Sequence, residues 1–216
     1  MAKPGRTSQV GTKTSGRSDA TRQALIDAAI ESLRSDGFAG ASARAIATRA
    51  GSTQGLVFYH FGSVADLLLA ALDEVSDRRM ERYSAAVEAA ASPAELAAVA
   101  GQIFREDLDE GYVTVLVEMI AGSAGSPALG EEVARRIAPW RSFAEQAIDA
   151  ALADSPLASL VPTGDAAYAA MALYLGLEML SHLDGDRSHA MALFDRLNSL
   201  ATLFVAGGPT QRKETS

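Results

Sequence analysis

Apolar residues recur at helical spacing along most of the chain, and no stretch alternates with period two between turns, so the pattern predicts helices throughout. The first runs from Asp19 to Ser35, with Ser18 as its cap. Leu25, Ile26, Ala29, Ile30 and Leu33 form its apolar stripe, and Asp36-Gly37 stops it. Ser42 caps a short second helix that Gly51 breaks, and Thr53 is placed to cap a third ending at Phe61. Ser63 starts a long helix that reaches about Ala91, where Ser92-Pro93 ends it. At 1.5 Å per residue it spans about 40 Å, long enough to serve two domains. Further helices are expected at 94–109, 111–122, 127–153, 165–184 and 188–206, separated by Gly111, GSAGSP, DSPLASLVPTG and DGD. The fold expected is all-α.

The stretch Ser42–Phe61, SARAIATRAGSTQGLVFYHF, reads as a helix-turn-helix. Ile46, Ala47 and Ala50 pack toward Val57 and Phe61, which leaves Gln54, Phe58, Tyr59 and His60 on the outer face of the second helix. Gly55 permits close backbone approach there. Such a helix fits the major groove of B-DNA with its N-terminal residues toward base edges.

The order AGSTQGLVFYHFGSVADLL, preceded by SARAIA and by a helix ending in DGF, resembles the DNA-binding domain of the TetR family of bacterial transcriptional regulators. The resemblance is close from Thr21 to about Leu69 and only architectural beyond. It implies an N-terminal three-helix helix-turn-helix domain, joined through the long fourth helix to a helical regulatory and dimerisation domain. It further implies that Gln54, Gly55, Leu56 and Phe58 face bases, and that Ser42, Arg44, Thr53, Tyr59 and His60 hold phosphate. Three positions depart from the family pattern: Ser52 stands at a usually apolar turn position, Phe58 at the first aromatic of a Tyr-aromatic-His run, and Val64 where Lys is common. The last two remove polar phosphate contacts.

Charge separates the chain in two. Residues 1–62 carry 8 Lys and Arg against 4 Asp and Glu, whereas 63–216 carry 11 against 23, so the front half suits DNA and the rear half is repelled by it. Residues 1–18 read as a disordered basic arm with Lys3, Arg6, Lys13 and Arg17, either lying on DNA or solvated. The helix-turn-helix domain is expected at 19–65, the ligand-binding and dimerisation domain at 66–206, and a disordered tail at 207–216. The chain has no Cys, no secretory signal pattern and no apolar run of membrane-spanning length, and a cytoplasmic protein is the expectation.

The helices at 165–184 and 188–206 are apolar on more than one face, which a second copy of the chain would cover; the family resemblance implies the same pairing. Phe104, Tyr112, Val115, Glu118, Met119, Trp140, Phe143, Tyr168, Met171, Tyr174 and Glu178 supply the aromatic, Met and sparse polar groups of a pocket for an apolar or aromatic effector. They equally suit an ordinary core. No HExxH, Walker A, GxGxxG or GxSxG pattern occurs, so neither an enzyme nor a cofactor is expected. Glu178 and His182 share a helical face, yet a hydrogen bond is the simpler use for them, and no metal is expected. The reading is a DNA-binding regulator, a ligand-released repressor acting as a dimer. Its rivals are a DNA-binding factor without small-molecule control and an enzyme that contains a helix-turn-helix.

Overall fold

The computed structural model describes residues 10–153 and 162–206, with side chains over 16–153 and 162–199. Over these residues the elements are nine helices: α1 Val10–Gly40, α2 Ala43–Arg49, α3 Gln54–Phe61, α4 Val64–Glu88, α5 Pro93–Glu110, α6 Tyr112–Ser123, α7 Pro127–Leu152, α8 Thr163–Asp184 and α9 Ser188–Ala206. The all-α expectation holds, and the helix limits fall close to those the sequence pattern sets. Residues 1–9 of the expected arm and the 207–216 tail lie outside the described residues.

One correction concerns α1. Residues 10–18, expected to be a disordered arm, are helical, so α1 begins well before Asp19. Once the packed turns around Leu25–Leu33 have nucleated a helix, each further residue adds a hydrogen bond at little entropic cost, and no Pro lies between Pro4 and the end of α1. At the other end the stop at Asp36-Gly37 is real. Gly37 has φ 70 and ψ 177, a backbone conformation that side chains with a Cβ rarely adopt.

A second correction concerns the cap of α3. Ser42 caps α2 as expected, its Oγ accepting from Ala45 N at 3.2 Å. Thr53 is extended but makes no side-chain cap bond. The Leu56 N–H, within the first turn, donates to the Thr53 carbonyl at 3.0 Å. Ser63 caps α4 by accepting from Asp66 N at 3.0 Å.

The chain divides into two compact units that are not contiguous in sequence. The first comprises residues 1–76 and 114–132, the second 77–113 and 133–216, so the divisions fall inside α4, α6 and α7. The first unit is built around Leu25, Ile26, Leu33, Ile46, Val57, Leu67 and Leu68, all buried, together with Val115 and Met119 from α6. Arg49 ties the end of α2 to the end of α1 through Asp36 at 2.8 Å and Ser35 at 3.1 Å. The Arg22 guanidinium lies over the Phe61 ring, 5.2 Å from its centroid. In the second unit α5 packs along α9: Phe104, Ala190 and Phe194 form a buried cluster against which Leu108, Tyr174, Leu177 and Met191 pack. Among the described residues no single helix is long and apolar enough to cross a membrane.

Candidate nucleic-acid interface and buried polar core

The α2–turn–α3 segment sorts its side chains by exposure. Ala43, Ile46, Ala47 and Val57 are buried, whereas Gln54 and Gly55 are exposed, Phe58 is 47% exposed and Tyr59 78%. Neither of these two large aromatic side chains, carried on an eight-residue helix, is buried in the core beneath it. Leu56 and His60 are half-buried, and the Tyr59 and His60 rings meet edge-on at 5.0 Å. Ser42, Arg44 and Thr53 are exposed beside this face. Ser42 keeps a hydroxyl hydrogen to donate, because its cap bond uses only an acceptor lone pair. In the turn, Ser52 Oγ is buried and has no hydrogen-bond partner, which follows from placing a hydroxyl where the family pattern has an apolar group. Leaving such a group unsatisfied costs about 1–3 kcal/mol.

The residues expected to line an effector pocket are divided between the two units. Val115, Glu118 and Met119 fall in the first unit, with Val115 and Met119 fully buried. Glu118 is committed: its Oε2 accepts from Phe38 N at 2.8 Å. One turn on, Gly122 accommodates the Phe38 ring so closely that a Cβ there would stand 2.2 Å from it. Tyr168 is 69% exposed on α8 and so points away from the core. Phe104 and Tyr174 do meet, edge-on at 5.3 Å, and Trp140 meets Phe143 at 5.9 Å. Tyr112, Met171 and Phe143 are half-buried in the second unit. The reason for the scatter is that helical spacing ranks residues by face and carries no information about which neighbouring element covers that face.

The second unit also contains a polar network centred on Asp107, which is fully buried. Arg79 donates to it with two nitrogens, Nε at 3.0 Å to Oδ1 and Nη2 to Oδ2. Tyr83 donates at 3.3 Å, and the Tyr174 hydroxyl donates to Oδ2. Arg79 also lies over the Trp140 ring, 4.6 Å from its centroid. Burial alone would lower the Arg79 pKa, but the charge and hydrogen bonds of Asp107 outweigh it and hold the guanidinium charged. Burial, then the Asp107 charge, push the hydroxyls of Tyr83 and Tyr174 well above the usual range, so both remain donors. Glu178, one turn beyond Tyr174 on α8, is 7% exposed, and its Oε1 has no hydrogen-bond partner. Its carboxyl is pushed up to about 7, first by burial and then by Asp107, with Arg79 and Arg187 working in the other direction.

Sequence reasoning reached Glu178 and Tyr174 but missed Arg79, Tyr83 and Asp107. The available signal was Asp107 itself, a carboxylate three residues after Phe104 on the same apolar stripe of α5, where a charge requires a partner. Among the described residues no group of three or more His, Asp or Glu is placed to hold a metal ion.

Residues 25–71 match the family model described as bacterial regulatory proteins, tetR family. The HTH-type transcriptional regulator SrpR of Pseudomonas putida is 40% identical over 60 residues, a stretch that covers 28% of this chain and 28% of that protein. The chain thus spans little more than a quarter of that relative, and the likeness lies in one stretch of 60 residues. Solved structures extend the likeness to the fold as a whole. A TetR family member from Streptomyces coelicolor A3 is similar at TM-score 0.60 and 29% identity, over 82% of this chain and 97% of that chain. The multidrug binding protein EbrR, complexed with imidazole, is similar at TM-score 0.57 and 28% identity, over 82% of this chain and 93% of that chain. With a helix-turn-helix formed by α2 and an exposed α3 inside the matched residues 25–71, and with an all-helical second unit, the chain resembles the TetR family of bacterial regulatory proteins in its DNA-binding segment and in its fold.

Proposed function

We propose that the protein is a cytoplasmic transcriptional repressor that binds a pseudo-palindromic DNA operator as a homodimer and is released by a small-molecule effector. The observation that carries the DNA-binding half is the exposure of Gln54, Gly55, Phe58 and Tyr59 on α3 while Val57 is buried. Gln54 suits adenine, and Leu56 suits a thymine methyl. Ser42, Arg44, Thr53, Tyr59 and His60 serve phosphate positions, which set register without reading sequence. The two copies join through α8 and α9. Support for this lies in α8, where Tyr168, Leu173, Met179, Leu180 and Leu183 are exposed along the helix.

Effector control is supported by the relative EbrR, which holds imidazole, and by the aromatic and polar interior of the second unit. The effector space belongs to Phe104, Trp140, Phe143, Met171, Tyr174 and Glu178. Val115, Glu118 and Met119 belong to the first unit, where Glu118 accepts from Phe38 N. One observation favours a second reading, a DNA-binding factor without small-molecule control: Phe104 is fully buried and already filled against Tyr174 and Phe194.

Selection of binding sites from random duplexes tests the first half. Two half-sites about 34 Å apart, or a multiple of that, are expected. Gln54→Ala then loses about 1–3 kcal/mol of discrimination at one base pair, whereas Tyr59→Phe weakens binding to all sequences alike. Enrichment of no palindrome, or a changed base preference in Tyr59→Phe alone, would overturn the assignment.

A further inference from the structure

Building on the ligand-released reading above, we infer that the buried carboxylate of Glu178 anchors an effector bearing a protonated amine or amidine on an otherwise apolar body. Glu178 is more than nine-tenths buried, and one of its oxygens has no hydrogen-bond partner. Buried polar atoms are nearly always satisfied, so an orphan in the interior of a domain marks a place where a donor is expected to arrive.

The chain's own donors nearby are committed. The groups that act on Glu178 are Asp107 from α5, Arg79 from α4, Tyr174 from α8 itself and Arg187 from the turn before α9. Arg79 and Tyr174 both donate to Asp107, as does Tyr83. Arg187 is exposed and pairs with Asp109 at 2.6 Å. The interior therefore holds two carboxyl groups, Asp107 and Glu178, against one buried guanidinium. An incoming cation restores that balance, and an incoming carboxylate worsens it. Leu177 and Tyr174 pack on the Phe104–Phe194 cluster and supply apolar surface for the remainder of the molecule.

Binding is coupled to a proton. With its carboxyl raised to about 7, Glu178 is partly protonated near neutrality. Taking up an ammonium group converts the carboxylic acid to a carboxylate held by the new N–H bond, and one proton passes to solvent. Affinity for a cation therefore falls about tenfold for each pH unit below about 7.

The test uses the full-length protein, with phenylbutylamine, phenylbutanol and phenylbutyrate as matched probes. Trp140 is the only Trp in the chain, and it lies under Arg79, so its fluorescence reports changes in the network. At about pH 8 the amine should bind at least tenfold more tightly than the alcohol and more tightly still than the carboxylate. That preference should fade as pH drops below about 7 and should vanish in Glu178→Gln. The ranking and the pH profile are read on the wild type, so they stand even if the variant folds poorly. Equal binding of amine and alcohol, tighter binding of the carboxylate, an undiminished amine preference in Glu178→Gln, or no amine binding would overturn the inference. The two readings fail separately. Amine binding through Glu178 without release of operator DNA would sink the ligand-released repressor and leave the site, whereas release by a ligand indifferent to Glu178 would do the reverse.

Discussion

At the scale of single residues, the second unit contrasts two buried carboxyl groups. Asp107 accepts from a guanidinium and two phenols, so its charge is compensated where it sits. Glu178 has an orphan oxygen and a carboxyl raised from the usual 4.5 to about 7. Between those pH values the folded protein holds a proton that the unfolded chain has released. Stability therefore falls as pH rises from 4.5 to about 7 and is level above. Glu178→Gln removes this dependence. The melting temperature of the variant minus that of the wild type should be larger at about pH 8 than at about pH 5, in thermal unfolding followed by circular dichroism. A difference that is constant with pH would show that the Glu178 carboxyl titrates normally.

At the scale of elements, α6 meets the end of α1 through two residues one turn apart. The left-handed bend at Gly37 turns the Phe38 N–H out of the helical ladder, and Glu118 takes it at 2.8 Å. The Phe38 ring then lies against Gly122, where three ring carbons stand 2.2, 2.3 and 2.4 Å from the position a Cβ would take. Real side chains do not approach so closely, so Gly122→Ala must displace the ring at a cost of about 1–3 kcal/mol. Phe38→Ala removes the ring and with it the clash. Chemical denaturation of the two single variants and the double should therefore show strong non-additivity, with Gly122→Ala close to neutral in the Phe38→Ala background. Additive losses would mean that the ring and Gly122 are not in contact in solution.

For the molecule as a whole, most of the exposed large apolar side chains among the described residues lie on α8. Leu180 is 55% exposed and Leu183 74%, with Tyr168, Leu173 and Met179 along the same helix. A soluble protein seldom leaves so many large apolar side chains uncovered on one element, and pairing with a second copy would bury them. Leu180→Glu with Leu183→Glu would place four like charges in a twofold interface. Sedimentation should then show monomers, and affinity for a two-half-site operator should fall to that for a single half-site. A double variant that remains dimeric would require the copies to meet elsewhere.

The sequence by itself determined what local forces determine. Helical spacing of apolar residues set the helices, α7, α8 and α9 among them, and Ser42, Gly51 and Ser63 marked caps and a turn because each acts within a few residues of its own position. The outward face of α3 was legible for the same reason: once Val57 is inside, the helical period turns Gly55 and Tyr59, two residues to either side of it, outward. Tertiary structure alone decided which faces meet. Arg79 and Asp107 lie 28 residues apart, Asp107 and Tyr174 67, Phe38 and Glu118 80. Nothing in the spacing around Glu118 distinguishes a pocket residue from one that holds the end of α1, and Tyr168 looks like core until its helix has a place. A period tells a helix which side to bury, and only the packed neighbours tell it against what, because burial and pairing are properties of elements brought together and not of the segment that carries the residue.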